Sequence, residues 1–193
     1  MTSLIEKTID RRGFLRMSSG VALSAGALAL LGGHSALAAA LPAVAAHDIG
    51  ILNVEVALEY EGIAAYGIAL KSGLLKGDTI KVATKFQGDH KQHNNLLIST
   101  IRKLGGEPVM EKTESEYAKA LSVDKLKNQS DVLMLALTLE LGAANAYLGV
   151  IPAFKDPQLA RIAARIAADE ATHWATLNAA LGKPFMPALG FGA

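Results

Sequence analysis

The sequence has no cysteine, and only 5% of its 193 residues are aromatic. Without cysteine the chain cannot form disulfides, thiolate-ligated zinc sites or iron–sulfur clusters, and it has no thiolate nucleophile. Its formal net charge is only +1, so it lacks the excess of positive charge typical of nucleic-acid-binding proteins, and we expect no nucleic-acid partner. Few aromatic residues and abundant alanine and leucine favour helices over strands.

Residues 1–46 have the organisation of an export signal. The segment 10–16 reads Asp-Arg-Arg-Gly-Phe-Leu-Arg and precedes an uncharged stretch over 17–46. The apolar centre of this stretch is short, and Ala-Leu-Ala at 36–38 is typical of a cleavage site. The segment resembles a twin-arginine (Tat) signal, which implies export of the folded protein by the Tat translocase. We predict a Tat signal peptide over 1–38, with cleavage as late as residue 46 as an alternative, and a periplasmic or secreted location.

An uncleaved membrane anchor is the alternative interpretation of this segment, because about 30 uncharged residues are long enough to span a bilayer. Glycine, serine and His34 dilute the apolar stretch, which favours cleavage. After cleavage at residue 38, about 155 residues remain, with 15 basic and 16 acidic side chains. We expect no stable membrane insertion of this mature chain.

Four later segments show helical periodicity and have recognisable ends. The predicted helices cover about residues 48–71, 80–104, 132–151 and 157–181. Asp78 and Thr79 are expected to cap the second helix, and Asp156 followed by Pro157 is expected to begin the fourth. The first two helices and the last two are joined by short connections, so each pair is antiparallel.

A long polar stretch, with one short helix predicted over 114–121, joins the second helix to the third. This order of connections predicts an all-α four-helix bundle with one long crossover between helices 2 and 3. The alternative is a simple up-and-down bundle with a disordered insertion.

Each predicted helix carries ionisable residues on its apolar stripe. These residues are Glu59, His90, His93, Glu140, Glu170 and His173. A charged group inside a bundle is costly unless it is paired or bound to a metal. Residues at i and i+3 lie on one helix face, so Glu170 and His173 can reach the same centre. The pattern predicts one metal site shared by all four helices.

The two halves of the mature chain repeat this pattern. Glu59 is followed seven residues later by Tyr66, and Glu140 is followed seven residues later by Tyr147. A histidine follows these two glutamates after 34 and 33 residues respectively, which indicates a duplicated helical hairpin. We expect both tyrosines to be core residues or to contact the metal ligands, rather than to take part in redox chemistry.

Over residues 47–187 the chain resembles the secreted ferritin-like domain proteins. The matching motifs are Leu58-Glu59-Tyr60, Glu140 with Tyr147, and Glu170-Ala171-Thr172-His173. The resemblance implies a ferritin-like bundle in which Glu59 and Glu140 each bind one metal and Glu170 bridges two. It implies that His93 and His173 bind one metal each. One or two divalent ions are expected, most plausibly iron or manganese, with zinc as an alternative.

At His90 the chain departs from the family pattern, which has a glutamate at this position. A carboxylate can bridge two cations, whereas a neutral imidazole has one lone pair, so we expect a second ion to be held weakly. Asp89 lies about 100° round the helix and is a poor substitute. We expect Asp89, Asp169 and Glu61 to face solvent or to orient a ligand histidine.

The resemblance implies redox chemistry on oxygen, peroxide or ferrous iron, so an oxidoreductase such as a ferroxidase is one hypothesis. Its partners would be a small-molecule oxidant or a metal ion. The rival hypothesis is a non-catalytic structural or stress-protective bundle with a structural metal or none. A homo-oligomer is a further hypothesis, and an iron-storage cage would require one.

The twin arginines generate the first testable prediction. Changing both Arg11 and Arg12 to lysine should block Tat export, leave the precursor in the cytoplasm and abolish the mature form. Fractionation and immunoblotting of cells that express the wild type and this variant measure the outcome. A mature form of about 155 residues outside the inner membrane in the variant would show that export does not use the Tat route.

Overall fold

A computed structural model of the chain describes residues 43–186. The signal peptide predicted over 1–38 lies outside these residues, as does residue 187 at the end of the predicted bundle. The helices are α1 (Ala43–Lys71), α2 (Asp78–Lys103), α3 (Glu114–Ala120), α4 (Gln129–Val150) and α5 (Pro157–Ala180). Short 3₁₀ turns cover Val123–Lys125 and Ile151–Ala153, and there is no strand within 43–186. The all-α prediction is confirmed.

The long helices α1, α2, α4 and α5 form the bundle, and side-chain pairs give their directions. Between α1 and α4, Tyr66 forms a hydrogen bond with Glu140, and Glu59 forms one with Tyr147. The order of the partners is reversed, so α1 and α4 are antiparallel. The same reversed order holds for α2 and α5, where residues 89 and 93 face residues 173 and 169. Because each short connection also reverses direction, the crossover must return along the length of the bundle.

The crossover is held against α1 at both ends of that helix. Near its start, the Asn53 side chain donates to the carbonyl of Glu107 at 3.2 Å and accepts from the amide of Val109 at 2.8 Å. At the end of α1, Lys71 pairs with Glu114 at the start of α3. The single long crossover predicted from the sequence is therefore present, and it contains the expected short helix.

Several helix ends follow from local chemistry. Asp156 caps α5, its side chain accepting from the amide of Gln158, with Pro157 in the first turn. The Asn128 side chain caps α4 in the same way. The predicted cap of α2 is wrong: its N-cap is Gly77, whose φ of 60° favours glycine, and Thr79 instead donates to the carbonyl of Lys76.

The start of α1 also differs from the prediction, because the helix begins at Ala43 rather than near Asp48. Asp48 is buried one turn further on, where it accepts hydrogen bonds from the amides of Lys155 and Asp156. This carboxylate therefore joins the first turns of α1 to the connection between α4 and α5. Sequence reasoning missed this role because the partner amides lie more than 100 residues away.

The apolar core is divided into two clusters with a polar layer between them. One cluster contains Leu52, Val56, Leu97 and Ile101, and the other contains Leu133, Leu137 and Leu177. The six predicted metal ligands lie between these clusters. The apolar layers exclude water above and below the polar layer, which raises the cost of leaving any of its charges unbalanced.

The segment Gln129–Ala153 has a mean hydropathy of 1.5 and, by length and composition alone, could cross a membrane. Core helices of bundles meet the same criterion, and this segment carries Glu140 and Tyr147 into the polar layer. Only 22% of its most apolar window is buried, so much of its outer surface is apolar.

Close packing at Gly62 gives the second prediction. A Cβ at Gly62 would lie 2.9 Å from the His90 ring, whereas a Cβ at Gly88 would meet nothing within 4 Å. Gly88→Ala should stabilise the protein by about 0.5–1 kcal/mol through helix propensity. Gly62→Ala should destabilise it by about 1–3 kcal/mol, because a buried ring must shift. Chemical denaturation with a chelator present measures both, and equal stability of the two variants would contradict the packing argument.

Candidate metal centre

The six predicted site residues come together in the polar layer. Their exposed fractions are 1% for Glu59, 4% for His90, 8% for His93, 1% for Glu140, 0% for Glu170 and 3% for His173. Helices α1 and α4 each contribute one glutamate, while α2 and α5 each contribute two residues at i and i+3. The helix-face argument from sequence is therefore confirmed in geometry.

These residues form two overlapping groups of four possible metal ligands. The first group is Glu59, His90, His93 and Glu170, and the second is His90, Glu140, Glu170 and His173. Within each group the donor atoms lie within 4.8 Å of one another, which is close enough for one ion to contact all four. Each group offers two carboxylates and two imidazoles.

Glu170 belongs to both groups through different oxygens. Its Oε1 lies 3.1 Å from Nδ1 of His93, and its Oε2 lies 3.3 Å from Nδ1 of His173. A carboxylate with one oxygen in each group has the arrangement needed to bridge two cations, as the family resemblance implies for this residue.

His90 also lies between the two groups, with one ring nitrogen towards each. Nδ1 is 2.8 Å from Glu59 Oε2, and Nε2 is 3.4 Å from Glu140 Oε1. A neutral imidazole has one lone pair and one N–H. His90 can therefore be a ligand in one group while it donates a hydrogen bond to the carboxylate of the other.

Acids on neighbouring helices orient the other two histidines. Nε2 of His93 is 3.2 Å from Asp169, and Nε2 of His173 is 3.2 Å from Asp89. These contacts direct Nδ1 of each ring to the centre, as expected for carboxylates behind metal-binding histidines. Glu61 does not face solvent: it is 7% exposed and lies on the wall of a cavity beside α1.

The two repeated tyrosines bond across the bundle. The Tyr66 hydroxyl donates to Glu140, and the Tyr147 hydroxyl donates to Glu59 at 2.5 Å. Each tyrosine therefore holds the glutamate of the opposite half, which confirms that both contact predicted ligands. These reciprocal tyrosine–glutamate contacts between the two halves are what a duplicated hairpin with approximate two-fold symmetry produces.

The centre contains buried polar atoms that lie 3.1–3.4 Å from one another but make no well-directed hydrogen bond within residues 43–186. They are Nδ1 of His93 and His173, Oε2 of Glu140, and both carboxylate oxygens of Glu170. An unsatisfied buried polar atom costs about 1–3 kcal/mol, so several together call for an explanation. All five are donor atoms of residues in the two groups, and the residues present thus fit a divalent metal.

The family comparison agrees with this geometry. The family model for the ferritin-like domain matches residues 47–183. The chain belongs to the ferritin-like domain family. A crystal structure of a conserved hypothetical protein, rv2844, from Mycobacterium tuberculosis is similar in fold, with a TM-score of 0.61 and 19% sequence identity. The alignment covers 72% of this chain and 94% of the mycobacterial chain. No curated protein sequence matches the chain.

The charges of this ferritin-like centre depend on one another. Burial raises the pKa of Glu59, but the hydrogen bond from His90 and the nearby His93 imidazole outweigh burial and hold it below its usual value. Burial lowers the pKa of His93, but the Glu170 and Glu59 carboxylates raise it to about 10. The same balance raises the pKa of His173 to about 9. Without a metal the histidines are therefore protonated and compensate the carboxylates.

Sequence reasoning missed Glu55, which lies one turn before Glu59. It is 2% exposed, and neither of its carboxylate oxygens has a hydrogen-bond partner within residues 43–186. Burial, together with the charge of Glu59, raises the pKa of Glu55 well above its usual value. The i, i+4 spacing from Glu59 was the available signal, since it places both carboxyl groups on one face.

A cavity lined by polar and apolar side chains lies between α2 and α5 and borders the centre at His93. Its volume is about 340 Å³, and its wall includes His93, Asp89, Asp169, Gln92 and Arg165. The two acids on this wall are those that contact His93 and His173, the predicted ligand histidines. Of the residues in the two groups, His93 lies on this wall, so the cavity borders the His93 side of the centre.

The raised histidine pKa values give the third prediction, which concerns metal-free protein. A histidine with a pKa near 6.5 when unfolded and 9–10 when folded stabilises the fold fully below pH 6.5. This stabilisation is lost as the pH rises towards 10. The melting temperature in chelator should therefore fall between pH 6 and pH 10.

The control for this prediction uses histidines inside and outside the centre. His47 is exposed, so His47→Gln should keep the full alkaline loss of the wild type. His93→Gln should show a smaller loss, because one of the shifted groups is gone. Identical pH dependence of the two variants would contradict the assignment of the alkaline loss to the centre.

Proposed function

We propose that this ferritin-like protein is exported and that it holds one or two divalent metal ions in the polar layer of its bundle. We expect iron or manganese in preference to zinc. The observation that supports the proposal most strongly is the pair of buried four-residue groups that share Glu170 and His90. Mixed imidazole and carboxylate donors suit all three metals.

The chain's own residues would hold the ions as follows. Glu59 and His93 serve one position, and Glu140 and His173 serve the other. Glu170 contributes one oxygen to each position, while His90 contributes its single lone pair to one of them. We therefore expect one ion to be held firmly and the second more weakly.

Bound iron or manganese would supply electron-transfer chemistry towards oxygen, peroxide or ferrous iron, which is the redox function we propose. The protein contributes positioning. Hydrogen bonds from Tyr66 and Tyr147 fix the carboxylates of Glu140 and Glu59. Asp89 and Asp169 fix the imidazoles of His173 and His93 in the same way. The cavity beside His93 would let hydrated ions and peroxide approach this side of the centre.

The proposed export rests on the sequence of residues 10–38. The Tat pathway carries folded proteins, so a metal could be bound in the cytoplasm before export. A His/carboxylate site has similar affinities for several divalent ions and does not by itself select one of them. Binding in the cytoplasm would let the metals available there determine which ion is bound.

One observation favours a second candidate function, a non-catalytic bundle. Three glutamates face three histidines whose pKa values are raised, so the protonated centre can be neutral without any metal. Such a protein would serve in envelope protection or structure. Oxidation of ferrous iron or consumption of peroxide by metal-loaded protein, absent from His173→Ala, would support the redox function over this one.

Metal stoichiometry gives the fourth prediction. After mild dialysis the wild type should hold clearly fewer than two ions per chain. His90→Glu should raise occupancy towards two, because it adds a bridging group and a negative charge. Glu170→Ala should leave one ion at most, since it removes the shared carboxylate. Elemental analysis of the dialysed proteins measures all three.

The matched control is Asn95→Glu, which adds the same charge to the exposed side of α2. It should bind no more metal than the wild type. The non-catalytic, metal-free bundle predicts equal metal content in all four proteins. Two firmly held ions in the wild type would overturn the role assigned to His90.

A further inference from the structure

A second cavity is bordered mainly by α1 and α4, and residues of α2, α5 and the crossover complete its wall. Its volume is about 120 Å³, and its wall is largely apolar. Leu58 and Ala65 of α1 and Leu135 and Leu139 of α4 are representative of this wall. The exposed Thr138 also belongs to the wall, so the cavity reaches solvent between the two helices.

Small residues keep this space open. Ala65 and Ala69 of α1 face the cavity, as do Ala136 and Ala143 of α4. A leucine at any of these positions would extend into the space. No described side chain fills the cavity, although native interiors are otherwise packed to the density of organic crystals.

The cavity ends at the polar layer. His90, Tyr66 and Glu140 form part of its wall. Oε1 of Glu140 accepts from Tyr66, and its Oε2 is buried 3.4 Å from Nδ1 of His173 without a well-directed hydrogen bond. A carboxylate among the residues of an apolar wall offers an acceptor to a donor that enters the cavity.

The size of the cavity limits what it can hold. An apolar cavity of about 150 Å³ in another protein stays dry and binds benzene. The present cavity is slightly smaller, and a hydrated ion would lose its water against the apolar wall at high cost. A compact apolar molecule with one hydrogen-bond donor matches both the apolar wall of the cavity and the polar residues at its end.

We propose that this cavity binds a small, uncharged aromatic or short alkyl molecule whose single hydroxyl end faces Glu140 and His90. Hydrated ions approach the centre from the α2–α5 side, whereas this molecule approaches from the α1–α4 side. Binding needs no metal, so failure of this proposal would leave the proposed metal centre intact.

Benzene and phenol are the probes that test it, with isothermal titration of the mature protein as purified and again after chelation. Both should bind with dissociation constants in the millimolar range or below. Phenol should bind at least fivefold more tightly than benzene after chelation, because its hydroxyl donates to Glu140. Glu140→Gln should reduce this preference while it keeps benzene binding.

Variants that fill the cavity provide the specificity control. Ala65→Leu and Ala143→Leu, made separately on the two helices, should each weaken benzene binding at least tenfold. Ala164→Leu, on the exposed side of α5, should bind as the wild type does. Melting curves establish that each variant is folded.

Two results would overturn the proposal. The first is the absence of benzene and phenol binding to the wild type at ligand concentrations up to about 10 millimolar. This titration tests the proposal even if a variant fails to fold. The second is unchanged binding in folded Ala65→Leu and Ala143→Leu. Equal affinity for benzene and phenol after chelation would overturn the assigned orientation of the hydroxyl.

Discussion

The rest of the structure depends on the burial of three carboxylates beside three imidazoles in one layer of a helical bundle. Such charges are tolerated only where they compensate one another or bind an ion. The apolar clusters on both sides deepen the burial, and the hydrogen bonds from Tyr66 and Tyr147 fix two of the carboxylates. Fold stability and the proposed metal binding therefore depend on the same residues.

The approximate symmetry of the bundle gives this layer its form. Each hairpin supplies a glutamate, a tyrosine and a histidine, and the tyrosines are exchanged between halves. The symmetry is broken at one position, where His90 faces Glu170 across the centre. The surroundings also differ: a cavity with a mixed polar and apolar wall borders His93, and a largely apolar cavity is bordered mainly by α1 and α4. The two cavities border the same centre.

Much of the candidate site could be predicted because helix geometry is regular. The spacing of Glu170 and His173 determines that both lie on one face, and the short connections determine that the hairpins are antiparallel. Other features depend on residues distant in sequence. The position of His90 between two groups requires knowledge of how α2 is rotated, and the burial of Glu55 requires the packing of α1. The cap at Gly77 was missed because Asp78 and Thr79 are favourable capping residues by composition alone.

By itself, the amino-acid sequence determined the helical class, the crossover and the six ionisable residues of the polar layer. The helical period of 3.6 residues and the lengths of the connections can be read from neighbouring residues alone. Only the tertiary structure decided how these residues divide into two groups, which tyrosine holds which glutamate, and where the cavities lie. These features depend on the rotation and separation of helices that are far apart in the chain. Packing of side chains across the bundle determines both, and no local pattern encodes it.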